Sequence, residues 1–223
     1  MHKTFFQKWC DQLWLYAVYA IGLAVLNVTL YHWGAWDTPT TLIALLAVLI
    51  PLHVFEENQF PAGFHYQMNL IRGSDAPNVY PMNQVTDMFT NLLAELLVVV
   101  LLVLSLHGRP SNGMVLFVAF FGIGETVAHT LFGTLCYHRL KGKGKRTIYG
   151  PGSITAYCTL LELSVCSIKW LVGQRIAAAD ILVAAGILLF IVVFLILLPL
   201  SINGKVRSPR YAFPSSGYFT KYE

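Results

Sequence analysis

Charge is what this chain has least of: Asp, Glu, Lys and Arg make up 12% of its 223 residues, against 56% hydrophobic side chains. A soluble domain of that length shows water a far larger charged fraction, so composition excludes an ordinary aqueous fold. Cysteine is sparse as well. Cys10, Cys136, Cys158 and Cys166 share no CxxC spacing, which excludes a disulfide scaffold and c-type haem attachment and leaves small buried hydrophobes. No phosphate loop, nucleotide-binding glycine fingerprint or Ser-His-Asp order occurs. Nor does the formal charge of +4 signal nucleic acid, because membrane topology accounts for where its basic residues stand.

What the chain has instead is apolar runs approaching or exceeding the roughly 20 residues that cross a bilayer as helix. Length and breakers place them at Leu13–Trp33, Thr40–Phe55, Phe89–Leu106, Met114–Tyr137, Ile154–Val172 and Ala177–Ile202. The fold class is therefore all-α, a polytopic membrane bundle of about six transmembrane helices. It forms one domain over residues 1–207, followed by a tail over 208–223 rich in Tyr, Phe, Ser and Pro that is expected to lie extended along the interface. The first run is too long for a signal peptide and lacks a small-residue cleavage site before Asp37. It is expected to be a retained span. The sixth, apolar from Ile181 to Leu200, is expected to face lipid.

Basic residues set the orientation, since loops on the cytoplasmic side carry the excess of Lys and Arg. Of the 15, Lys3, Lys8, Arg72, Arg139, Lys141, Lys143, Lys145, Arg146, Lys205, Arg207, Arg210 and Lys221 fall on the side of the N-terminus, and Arg109, Lys169 and Arg175 on the other. Both termini are thus expected in the cytoplasm. The run Arg139–Arg146 reads as topogenic charge, with an anionic headgroup or phosphorylated substrate as the alternative.

Against this apolar background the intramembrane acids and imidazoles stand out, because such groups are costly in hydrocarbon unless they hold a metal, a proton or each other. His53, Glu56 and Glu57 end the second span, which contains Pro51. Asp87, Asn91 and Glu95 step down the third at intervals of four, and Glu125 and His129 stand four apart in the fourth, on one helix face. All fall in the cytoplasmic half, so three helices are expected to bring them to one depth. Imidazole and carboxylate suit Zn, Fe or Mn, as one ion or two. His53, Glu57, Glu125 and His129 are the expected ligands, with Glu56 left as acid or base and Tyr149 as hydrogen-bond donor to developing negative charge. Glu95, Asn91, His65 and His138 are possible additions, and Glu162 either joins the site or pairs elsewhere. Phe60-Pro61-Ala62-Gly63-Phe64 can turn His65 and Tyr66 back over the acids, and Ser153 stands to cap the fifth helix after Tyr149-Gly150-Pro151-Gly152.

These residues resemble a family, the bacterial membrane proteins named for an HXXEE motif, followed by a later histidine and a Tyr-x-Pro-Gly motif. Here the pattern reads His53-Val54-Phe55-Glu56-Glu57, then His129 or His138, then Tyr149-Gly150-Pro151-Gly152. The resemblance implies a bacterial inner-membrane protein with a suspected enzymatic role, and groups His53, Glu56, Glu57, the later histidine and Tyr149 in one site. It implies no substrate. From the residues, the expectation is a metal-dependent membrane hydrolase or oxidase. Its partners would be membrane lipids and a hydrophobic small-molecule substrate from the cytoplasmic side. A metal-free acid/base isomerase of a sterol-like or isoprenoid molecule is the alternative. A proton-coupled transporter ranks last, because its polar groups should continue to the outer face.

Overall fold

The computed structural model describes residues 4–108 and 110–223, so Lys3 and Arg109 of the charge count lie outside the described residues. Among the described residues six helices are long and apolar enough to cross a membrane: α1 (Phe5–Tyr31), α2 (Thr38–Asn58), α4 (Gln84–Leu106), α5 (Asn112–Lys143), α6 (Ser153–Leu171) and α7 (Ala178–Val206). A short helix, α3 (Phe64–Ile71), lies between α2 and α4. Among the described residues there is no strand. This is an all-helical integral membrane protein.

Helix starts follow from local chemistry. Asp37 Oδ1 accepts the Thr40 N–H at 2.8 Å with Pro39 in the first turn, and the Asn83 side chain accepts from Val85 and Thr86 at 3.0 Å each. Several helices outrun their apolar stretches. α1 begins at Phe5 rather than Leu13, α2 continues to Asn58 rather than Phe55, and α7 reaches Val206 rather than Ile202. A hydropathy limit marks where side chains turn polar, whereas the backbone keeps its hydrogen bonds into the interface.

α2 is the central helix: 56% of its most apolar stretch is buried, against 17% for α7, which faces outward as expected. The Pro51 ring packs on α1 at Gly22, where a Cβ would fall 2.6 Å from Pro51 Cγ. α5 presses equally hard on α6, with Gly122 against the Leu160 carbonyl and the Ser164 hydroxyl. Trp14, Val18, Ile43, Leu46, Phe117 and Leu160 fill the interior between these helices.

The tail departs from expectation. Instead of lying extended it folds back over the end of the bundle that carries both termini, forming 3-10 turns at Pro209–Tyr211 and Gly217–Tyr222. Tyr218 N donates to Ala62 O at 3.1 Å, Phe213 N donates to Asn78 O at 2.8 Å, and Phe219 is fully buried. Its aromatics supply the reason, since they have apolar area to bury and a cation to cover. Lys145, inside the basic run, lies beneath Tyr218, Phe219 and Tyr222 with Nζ 4.8 Å from the Tyr218 ring centre, and donates to Tyr149 O at 2.6 Å. Burial pushes its pKa below that of an ordinary lysine. Arg139 of the same run donates to the carbonyls of Leu70 and Ile71 at the end of α3. These two cations tie the structure together.

Candidate metal centre

The last turns of α2 carry His53 and Glu57 on one face, and α5 presents Glu125 and His129 opposite them. The four side chains close a ring. His53 Nε2 lies 3.5 Å from Glu57 Oε1 and 3.7 Å from Glu125 Oε2, and His129 Nε2 lies 3.3 and 3.7 Å from the same two oxygens. The ligand atoms of His53, Glu57 and His129 all fall within 4.8 Å of one another, and all three residues are buried. Donors about 2.0–2.2 Å from one ion at tetrahedral angles lie roughly 3.3–3.6 Å apart, so the spacing fits a divalent metal.

His129 supplies the orphaned atoms expected of such a centre. Both its ring nitrogens are buried without a hydrogen-bond partner. A buried imidazole left so costs free energy unless a lone pair is used by something else. Phe64 packs on its ring with centroids 5.2 Å apart, and the His53 ring stands perpendicular to it at 5.0 Å.

His53 is held from behind. Its Nδ1 lies 2.8 Å from Thr155 Oγ1, and that hydroxyl lies 2.6 Å from Glu56 Oε2. A hydroxyl has one proton; given to the carboxylate, it leaves the oxygen to accept from Nδ1–H. Nε2 then carries the free lone pair, on the side facing Glu57 and Glu125.

Glu56, the expected acid or base, is fully engaged. It accepts from Tyr149 Oη at 3.2 Å and Ile154 N at 3.1 Å on one oxygen, and from Thr155 N at 2.8 Å and Thr155 Oγ1 on the other. A carboxylate of α2 thereby caps the N-terminus of α6, where free N–H groups and the helix dipole favour negative charge. Ser153, expected as that cap, instead accepts from Gly150 N at 3.2 Å within the turn. Tyr149, expected to donate toward reacting atoms, donates to Glu56; burial and then that carboxylate push its hydroxyl pKa up, which keeps the proton in place.

Gly152 completes the enclosure. It sits at φ +91°, and a Cβ there would lie 2.8 Å from His129 Nε2 and 3.0 Å from Glu57 Cγ. Only glycine gives the backbone both that conformation and that approach.

A family model described as "Protein of unknown function with HXXEE motif" matches residues 44–167, more than half of the chain. The chain belongs to this family. No curated protein and no solved structure is detectably similar to it. The matched segment of this HXXEE protein runs from within α2 into α6, and so holds all four residues of the ring together with Glu56, Tyr149, Gly152 and Thr155.

The remaining candidates fall elsewhere. His138, the other reading of the family's later histidine, is exposed at the end of α5, whereas His129 is in the ring. His65 is buried in α3, stacks on Phe213 with ring centres 3.6 Å apart and pairs with Asn78 Oδ1 at 3.2 Å, so it anchors the tail. Asn91 donates to Asp87 Oδ1 at 2.9 Å. Glu95 is fully buried with neither oxygen hydrogen-bonded, outside the ring's contacts, and Glu162 is exposed. The sequence reading missed Thr155, whose role has no local signal: it stands 102 residues from the histidine it orients.

A cleft of about 360 Å³ reaches His129 between Ile148, Tyr149, Ile154 and Tyr157. Its walls are almost wholly apolar, and Ile148 and Ile154 are exposed at its rim.

Proposed function

We propose that this HXXEE protein is an integral-membrane metal-dependent hydrolase acting on a lipid-like substrate, with His53, Glu57 and His129 as its metal ligands. The observation that carries this reading is the ring of two imidazole nitrogens and two carboxylate oxygens with neighbours 3.3–3.7 Å apart, all contributed by membrane-spanning helices. Two histidines and one carboxylate with room for a further group form a donor set used for Zn, and a bound ion supplies polarisation of a carbonyl or phosphoryl oxygen and of water. Glu125, read from the sequence as a fourth ligand, takes the proton-transfer role in place of Glu56. It is the carboxylate of the ring that keeps access to its surroundings, with 28% of its side chain exposed. Glu56 becomes a positioning residue that acts through Thr155 on His53.

The substrate's apolar part lies in the cleft of Ile148, Ile154 and Tyr157, which brings a chain from the lipid to His129 without crossing water. The charge asymmetry of the loops supports both termini, and so the mouth of the centre, on the cytoplasmic side, and the family resemblance is what suggests a bacterial inner membrane. An oxygen-using iron enzyme is the second reading, since two histidines and one carboxylate also form the facial triad of non-haem iron.

Elemental analysis of purified full-length protein tests the proposal. Wild type should carry about one zinc per chain, Glu125→Gln should keep it, and His53→Ala/His129→Ala should lose it. Iron in place of zinc would favour the oxidase. Equal and negligible metal in wild type and double variant, after expression with metal supplied, would remove the metal reading and leave the acid/base isomerase.

A further inference from the structure

A second chamber, at the same end of the bundle, shares no lining residue with the metal centre. It measures about 370 Å³ and is walled by Asp11, Trp14, Asn58, Gln59, Asp87 and Phe213 among others, and no described residue in its wall is a lysine or arginine. Two unsatisfied groups belong to it. Asp87 is 2% exposed, and although Asn91 donates to its Oδ1, its Oδ2 has no hydrogen-bond partner. Asn58 Nδ2, a donor, is also buried and unpartnered. A buried carboxylate oxygen costs free energy without a donor, as does a buried amide N–H without an acceptor.

We propose that this chamber binds a primary ammonium group with an oxygen close by, the chemistry of an ethanolamine headgroup. The ammonium answers Asp87 Oδ2, with Trp14 and Phe213 as aromatic walls suited to a cation. The adjacent oxygen accepts from Asn58 Nδ2. Asp87 lies in the first turn of α4 and Asn58 ends α2, so the chamber sits at headgroup depth rather than in the hydrocarbon. Two sources carry this chemistry, an aminophospholipid of the surrounding leaflet and a soluble amino alcohol. The inference uses none of the metal ligands and stands whether or not the hydrolase reading does.

Calorimetric titration of ethanolammonium chloride into the full-length protein, held in nanodiscs of phosphatidylglycerol, tests it. Wild type should bind saturably, and Asp87→Asn should weaken binding at least tenfold with metal content unchanged. Gln59→Trp, which adds bulk to the chamber's wall and leaves the Asp87 carboxylate in place, should weaken it similarly and guards against misfolding of the first variant. Adding phosphatidylethanolamine to the discs should suppress the titration if the lipid headgroup is the natural occupant, and leave it unaltered if a soluble amine is. No binding by wild type, binding unaffected by both substitutions, or displacement of the amine by an equal concentration of sodium ions would overturn the assignment.

Discussion

His53 Nδ1 rests 2.8 Å from the hydroxyl of Thr155, so the first residue of the HXXEE motif is oriented by a residue just beyond the Tyr-x-Pro-Gly turn. The motif's first acid completes the link, because Glu56 accepts from the same hydroxyl at 2.6 Å. Two sequence motifs are in this way one object: a carboxylate, a hydroxyl and an imidazole in line behind a proposed ligand atom. Outer partners of this kind are worth about 10–100-fold in metal affinity. Thr155→Val should therefore weaken zinc binding by about that factor while the chain still folds, and Thr155→Ser should restore most of it. Competition with a chromophoric chelator reads the difference.

The two adjacent acids of the motif should separate experimentally. Glu56 accepts four hydrogen bonds, two of them from the N-terminal backbone of α6. Glu57 faces the two imidazoles. With chelator present, Glu56→Gln should cost about 3 kcal/mol of stability, because charge-assisted bonds are lost and an amide N–H is turned on backbone donors. Glu57→Gln under the same conditions should cost less, because its side chain caps no helix and Glu125 remains beside both imidazoles. Without chelator the order should reverse for metal content, with Glu57→Gln the poorer binder. Thermal unfolding in detergent, with and without zinc, distinguishes the pair.

Much of this was legible in the sequence, and the part that was not shares a physical cause. The six spans follow from composition along the chain, and the His53–Glu57 and Glu125–His129 pairs follow from the four-residue helix repeat, all local properties. The choice of histidine was decidable too. Nine residues at about 100° each place His138 on the face of α5 opposite His129. What escaped is long-range: the capping of α6 by Glu56 across 98 and 99 positions, the reach of Thr155 to His53 and the docking of Phe219 and Tyr218 over Lys145. No local pattern encodes such a contact. Composition also misjudged the tail, where Ser and Pro read as extended chain while the aromatic residues decide the outcome.

Gly152 and Gly144 offer a matched comparison, because they sit at nearly the same backbone angles, φ +91° and +90°, with different neighbours. An added methyl costs about 1 kcal/mol of strain at each. At Gly144 it meets nothing within 4 Å, whereas at Gly152 it meets His129 and Glu57. Gly144→Ala should lose only that stability and keep its metal. Gly152→Ala should lose metal as well, because His129 must move for the methyl to fit. Equal zinc content in the two variants would contradict the close packing of the turn on the centre.

Acid should loosen the tail through His65. Burial holds its pKa down to about 4, against an ordinary value near 6.5, with the bond its Nε2–H donates to Asn78 Oδ1 only partly opposing. The unfolded chain therefore binds a proton that the folded chain refuses between those two values, and stability falls as pH drops through that window. The loss reaches about 2 kcal/mol at pH 5 and levels off at about 3 kcal/mol below pH 4. His65 stacks on Phe213, whose backbone N–H is bonded to Asn78 O, so the energy bears on the attachment of the C-terminal segment. His65→Phe keeps a ring against Phe213 and has nothing to titrate. Limited proteolysis of the tail at pH 7 and pH 5 should show cleavage accelerated by acid in wild type, and a rate that changes far less with pH in the variant.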